Sequence, residues 1–219
     1  MRWATFDCYG TLIDWDGGMR RALARLFGAE RAPELLARYH AAEPEVEAGP
    51  YRSYADVMSA ALARAAQEAG VPVPSGEEGA LAAALPGWRP FPEVPAELEE
   101  LRRRGWRLAV LSNCDREHVE ASAQALGIAF DATVVAQDVR SYKPAPAHWA
   151  RFFAATGAAR EAHVHVAASL FHDIRPAGDL GLRTVWINRA GERPTPTPGR
   201  ELPDLGGLAD ALDGLVAPA

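Results

Sequence analysis

The 219-residue sequence is short of cysteine, of long apolar runs and of clustered positive charge, and each shortage narrows what the chain can be. Its two cysteines, Cys8 and Cys114, lie at the ends of apparent strands and supply no disulfide framework, which fits a reducing compartment. No stretch of about 18 uninterrupted apolar residues occurs, and the start lacks a basic segment followed by an apolar run. Neither membrane spanning nor export is therefore expected, and a cytoplasmic protein is. The 23 Lys and Arg residues are outnumbered by 29 Asp and Glu, giving a formal net charge of -6. The basic residues are scattered or form short helical runs such as Arg102-Arg103-Arg104, so nucleic acid is not an expected partner. Internal repeats and low-complexity tracts are also missing.

What is present is ample apolar material, 48% of residues, for one packed domain or one domain carrying a sizeable insertion. The chain opens on a short apolar strand, Arg2 to Phe6, that runs into Asp7 and turns at Gly10. An acid just outside the carboxyl end of a strand stands where open α/β sheets place their chemistry. Gly10 permits a turn that aims the Cys8 and Tyr9 amides back at an anion. The alternative is that Asp7 merely caps the turn.

From Gly18 to Leu85 apolar residues recur three and four apart in four blocks: Gly18 to Phe27, Pro33 to His40, Tyr54 to Ala69 and Glu77 to Leu85. Gly49-Pro50 and the Val71 to Gly76 segment interrupt them. This section predicts helices and no strand. The proline-rich stretch from Leu85 to Pro95 reads as a stiff, extended return. Beyond it the pattern alternates: helix 96–104, strand 108–111, helix 117–126, strand 132–135, helix 147–156, strand 163–167, helix 174–180 and strand 184–187. The tail, with Pro194, Pro196, Pro198 and Pro203, reads as loop followed by a short helix near 208–212. Repeated strand and helix units with continuously apolar strands predict a doubly wound α/β parallel sheet. A helical cap over 15–88 interrupts a core made of 1–14 and 89–219.

Parallel strands deliver their last residues to one edge, so polar groups far apart in sequence converge there. Asp7 and Thr11 follow the first strand, Ser112 and Asn113 the second, Lys143 the third, and the segment reaching His172 and Asp173 the fourth. A lysine beside Asp7 favours its charged form, and hydroxyl and amide donors fix its second oxygen, the requirements of a carboxylate nucleophile. Taken singly, Lys143 reads equally as a solvated loop residue and Ser112 as a helix cap.

On these residues the chain resembles the haloacid dehalogenase superfamily over essentially its whole length. The first motif corresponds to Asp7 through Thr11, the second to Ser112, the third to Lys143 and the fourth to the stretch ending at Asp173. The helical insertion after the first strand is similar to that superfamily's cap. The resemblance implies a Rossmann-like core and hydrolysis through a covalent aspartyl ester. Phosphatases of the superfamily carry a protonating aspartate two residues after the nucleophile, and here that position is Tyr9, which resembles the 2-haloacid dehalogenases instead. The implied substrate is a small anionic 2-halo carboxylate. Asp7, Thr11, Lys143 and Asp173 are then catalytic, while the Cys8 and Tyr9 amides, Ser112, Asn113 and a cap arginine bind substrate or halide. Arg38 is the arginine expected, with Arg52 as competitor.

No cofactor is expected, and Mg²⁺ only if the chain is a phosphatase or other ester hydrolase of the superfamily. Ala168 stands where a Mg²⁺-dependent phosphatase has an acidic ligand. Ala168 and Leu170 also replace the polar residues that hold the hydrolytic water in related dehalogenases, and Trp149 replaces a tyrosine. Those departures keep open a binding protein that retains the fold without turnover. His172 reads as a surface helix-start residue, and His163 and His165 as packing residues of a strand. Oligomeric state is left open, a homodimer being the case the resemblance suggests.

Overall fold

In a computed structural model, residues 1–193 and 199–217 are described. The loop expected around Pro194, Pro196 and Pro198 lies outside them. Six parallel strands, β1 (Arg2–Phe6), β2 (Trp106–Ser112), β3 (Ala132–Val135), β4 (His163–Ala167), β5 (Arg183–Ile187) and β6 (Glu201–Leu202), form one sheet ordered β3-β2-β1-β4-β5-β6. Strand order reverses at β1, which sits between β2 and β4 and so brings its carboxyl end to the crevice of a doubly wound sheet. Thr5 pairs with Ala109 on one side and His165 on the other. The Asp7 amide continues the ladder by donating to the Val166 carbonyl at 3.1 Å.

Alternate residues of β1 face opposite layers. Ala4 and Phe6 join one core with Leu108, Val110, Val164 and Val166, while Trp3 joins a second with Ala109, Leu111, Trp149 and Phe152. Both faces of the sheet are therefore covered, as an apolar parallel sheet requires. Burial of each large apolar side chain contributes about 1.5–3 kcal/mol relative to exposure.

Four α-helices make up the insertion after β1: α1 (Trp15–Phe27), α2 (Ala32–Glu47), α3 (Tyr54–Glu68) and α4 (Ala80–Ala84). Asp14 caps α1 by accepting from the Gly17 amide at 2.9 Å. Gly18 is required by close approach, since a Cβ there would lie 2.3 Å from the Trp88 ring. The ends of the insertion pair with each other: Asp14 N–H donates to the Arg89 carbonyl at 2.9 Å and Phe91 N–H to the Leu12 carbonyl at 3.0 Å. The return stretch is thus a short 3₁₀ turn, Leu85–Gly87, followed by a two-stranded tether.

The remaining helices are α5 (Val94–Arg103), α6 (Arg116–Leu126), α7 (Ala136–Val139), α8 (Ala147–Thr156), α9 (Arg175–Asp179) and α10 (Leu208–Leu215). Two departures from the sequence-based reading bear on the site. Helix α2 does not stop at His40 but continues through Pro44 to Glu47, which carries Glu43 and Glu47 to the crevice. The segment before α9 is a π-helical turn, Leu170–Ile174, wide enough to return the Asp173 side chain beneath the strand ends. Among the described residues no helix is long and apolar enough to cross a membrane.

Candidate active site

The carboxyl edge of the sheet and the helices of the insertion enclose a cavity of about 530 Å³. Asp7, Ser112, Asn113, Lys143 and Asp173 line it from the sheet, and Trp15, His40, Glu43, Glu47 and Tyr54 from the insertion.

Its floor is an ion cluster. Lys143 is 1% exposed, and its ammonium donates to Asp7 Oδ1 at 2.9 Å, Asp173 Oδ1 at 2.6 Å and the Leu111 carbonyl at 2.8 Å. Three acceptors match the three donors of an ammonium. Burial opposes the charge on Lys143, but the Asp173 and Asp7 carboxylates outweigh it and hold the lysine pKa above its ordinary value. Burial likewise pushes the Asp173 carboxyl upward, and Lys143 with His165 overcomes this and holds it below the usual carboxylate range. Thr11 Oγ1 donates to Asp7 Oδ2 at 2.7 Å and accepts from the Ala168 amide at 2.9 Å. The backbone of Ala168 thus orients the hydroxyl whatever its side chain.

The other expected binding residues divide. Among the described residues the Cys8 and Tyr9 amides donate to no carbonyl or side chain, which leaves both N–H groups beside Asp7 available to an anion. Ser112 is buried at the cavity wall, with its carbonyl held by His148 Nε2 at 3.1 Å. Asn113 clamps the backbone of Lys143, accepting from its N–H at 2.6 Å and donating to its carbonyl at 3.0 Å. Asn113 also lines the cavity, where its Nδ2 donates to Glu47 Oε1 at 3.4 Å. The Tyr9 hydroxyl lies away from the cavity, donating to the His118 carbonyl at 3.0 Å with Ser122 Oγ at 2.9 Å.

The arginine expectation is corrected. Arg38 does not line the cavity; its partly exposed guanidinium pairs along the helix surface with Glu34 at 3.0 Å and lies 3.9 Å from Glu68. It sits on the outer face of α2, where an arginine is solvated and paired. Arg52 is exposed, and the Tyr142 hydroxyl bonds its carbonyl. The arginine that does line the cavity is Arg189, just beyond β5, stacked 3.6 Å from the Phe91 ring centre and bonded to the Thr11 carbonyl at 3.0 Å and Glu93 at 2.6 Å. Its position past a strand end was the available signal, at a strand whose terminus the sequence reading did not follow into the crevice.

Sequence reasoning also missed two carboxylates from α2. Glu43 Oε1 accepts from the Tyr39 and Tyr54 hydroxyls at 3.0 and 2.8 Å, and burial, with the nearby Glu47 charge, pushes Glu43 up to about 7. Glu47 reaches His172 of the π-turn at 3.4 Å, so His172 is a contact across the crevice rather than a surface residue. Burial lowers the His172 pKa, but the hydrogen bond and charge of Glu47 raise it above the ordinary histidine value. His165, read as a packing residue, bonds Asp173 Oδ1 at 3.0 Å.

As a metal site the donor set is poor. Among the described residues no group of three His, Cys, Asp or Glu side chains is arranged to hold an ion, and Asp7 and Asp173 share the Lys143 ammonium between them.

Residues 1–181 match the family model described as haloacid dehalogenase-like hydrolase. A curated relative, the (S)-2-haloacid dehalogenase of Pseudomonas sp. (strain YL), is 29% identical over 216 residues, covering 95% of this chain and 93% of that one. A phosphoserine phosphatase of Thermus thermophilus is 33% identical over 128 residues, 56% of this chain and 51% of that one. The solved structure of an L-2-haloacid dehalogenase superposes with a TM-score of 0.86 at 26% identity, covering 97% and 99% of the two chains.

Proposed function

Since the chain belongs to the haloacid dehalogenase-like hydrolases, we propose that it hydrolyses a small 2-halo carboxylate through an ester on Asp7. In the first step an Asp7 oxygen attacks C2 of the substrate; the new O–C2 bond forms as the C2–halogen bond breaks, and halide leaves with the electron pair. Lys143 and Thr11 orient the two oxygens of the nucleophile. The Cys8 and Tyr9 amides, together with Ser112 and Arg189 of the cavity lining, offer donors to the substrate carboxylate.

In the second step water attacks the Asp7 carbonyl carbon and its proton passes to Asp173. The Cγ–O bond to substrate then breaks, the departing alkoxide takes the proton from Asp173 as a 2-hydroxy acid, and Asp7 loses its remaining proton to solvent. Lys143 and the loop amides steady the charge that develops on the carbonyl oxygen.

The observation that carries this reading is the Asp7–Lys143–Asp173 cluster beneath two free amides. Against phosphate ester hydrolysis stands Tyr9, whose hydroxyl is bonded into the helix α6 layer and cannot protonate an alkoxide in the cavity. A panel of 2-halo acids and phosphate monoesters, assayed with and without EDTA and Mg²⁺, tests it. Halide release that survives EDTA and vanishes in Asp7→Asn is expected; phosphate release dependent on Mg²⁺ would replace it with a phosphatase.

A further inference from the structure

Behind Asp173 lies a buried line of polar groups that the two-step chemistry does not use. His165 Nε2 is 3.0 Å from Asp173 Oδ1, His165 Nδ1 is 2.8 Å from Thr5 Oγ1, and Thr5 Oγ1 is 2.8 Å from His163 Nε2. All four side chains are 1% exposed or less. The line follows from register: Thr5 on β1 is paired with His165 on β4, and His163 is two residues back on the same face.

The direction of these hydrogen bonds is set at one end. An ionised carboxylate only accepts, so His165 Nε2 carries hydrogen and donates to Asp173 Oδ1, while its other ring nitrogen, Nδ1, is tied to the Thr5 hydroxyl. The Thr5 hydroxyl also bonds His163 Nε2. His163 is left with an unpartnered Nδ1, and burial, with His165 nearby, pushes its pKa down to about 3, which keeps that ring neutral. The Trp149 ring packs edge-on against His165, with centroids 5.3 Å apart, and prevents the imidazole from swinging off the line.

Asp173 consequently has one oxygen held twice and the other not at all. Oδ1 accepts from Lys143 and His165, whereas Oδ2 is buried without a partner in a residue that lines the cavity. Lys143 alone would leave the carboxylate free to rotate about that contact and would draw it toward Asp7. A second donor on the same oxygen, His165 Nε2, held in place by its bond to Thr5, fixes the orientation of the group and the direction in which Oδ2 faces.

We propose that His165 is a positioning residue for the second step, holding Asp173 so that Oδ2 takes the proton of the attacking water. This rests on the covalent reading above. It accounts for two departures together: Ala168 and Leu170 offer no polar side chain to hold that water from the cavity side, and the chain instead fixes the acid from behind, through His165, Thr5 and Trp149.

The test combines a structure with a partition measurement, using 2-chloropropionate as the probe. In His165→Leu, ester formation on Asp7 should remain within about threefold of wild type while its hydrolysis slows about tenfold to a hundredfold, the range seen for outer partners that orient reactive groups. The ester should then accumulate in intact-protein mass spectra. His165→Gln, which restores an N–H at the same reach, should recover most of the hydrolytic rate, and a crystal structure of His165→Leu should show the Asp173 carboxylate turned from its wild-type plane. Equal slowing of both steps, or a Leu variant with Asp173 unmoved and the ester not accumulating, would overturn the role of His165. A wild-type protein that never carries the ester would instead overturn the covalent reading, and the orientation of Asp173 in the Leu variant would still decide the positioning claim.

Discussion

Lys143 is the residue that holds the charge balance of the site, as the one cation in contact with both Asp7 and Asp173 among the described residues. Replacing it by alanine leaves Asp7 and Asp173 facing each other in a buried floor without a counter-charge, which should cost about 3–5 kcal/mol near neutral pH and remove most activity. The pH dependence follows from the shifts. The lowered Asp173 pKa contributes stability that is present above about pH 4 and lost as pH falls below it. The raised Lys143 pKa contributes stability that is present below about pH 10 and lost as pH rises through the folded value. Chemical denaturation of wild type and Lys143→Ala at pH 3 and pH 7 checks this: the gap between them should be large at pH 7 and shrink at pH 3, where the acids can be protonated. Arg38→Ala is the contrasting case, with stability within about 0.5 kcal/mol of wild type and halide release unchanged, because its partners are surface glutamates. Both residues were named from the sequence, but on unequal grounds. Asp7, Thr11 and Lys143 follow strands, so sheet topology fixes where they meet. An arginine on an amphipathic helix carries no such constraint, since which side of the stripe faces a partner depends on how the helices pack.

At the scale of elements, α2 decides what the insertion shows to the cavity. Its periodicity was legible to His40 but not across Pro44, because a proline normally ends or kinks a helix and the local rule gives way here to packing in the insertion. The last turn, which the pattern did not reveal, brings in Glu43 and Glu47. Glu43, with a pKa raised to about 7, contributes stability that is fully present below about pH 4.5 and lost as pH rises through about 7. Glu43→Gln keeps an oxygen for the two tyrosine hydroxyls and removes the charge. It should therefore stabilise the protein at pH 8 by up to about 2 kcal/mol, discounted for partial exposure, and flatten thermal stability between pH 5 and 8. A second element-level contact joins core to insertion: Asp115, after β2, accepts from the Tyr54 and Ala55 amides at 3.1 Å each and so caps α3 from outside its own segment. Asp115→Ala should lower stability by about 1 kcal/mol, measured by urea denaturation, as loss of a helix cap does.

For the whole molecule, the succession of the first five strands along the chain and the helical section after the first were readable because apolar runs, glycines and prolines punctuate the chain at the period of each element; β6, two residues long, carries no such pattern. The line from His163 to Asp173 was not readable, because a histidine in an all-buried strand gives the same pattern as any packing residue, and only the pairing of β1 with β4 sets Thr5 beside His165. The central claim is that Asp7 forms the ester. A single turnover in ¹⁸O-enriched water, with enzyme in excess over 2-chloropropionate, tests it most directly. Attack of water on the Asp7 carbonyl predicts one ¹⁸O in the peptide containing Asp7 and an unlabelled 2-hydroxy acid product. Label in the product of that first turnover, with Asp7 unlabelled, would mean that water attacks the substrate itself and would contradict the account.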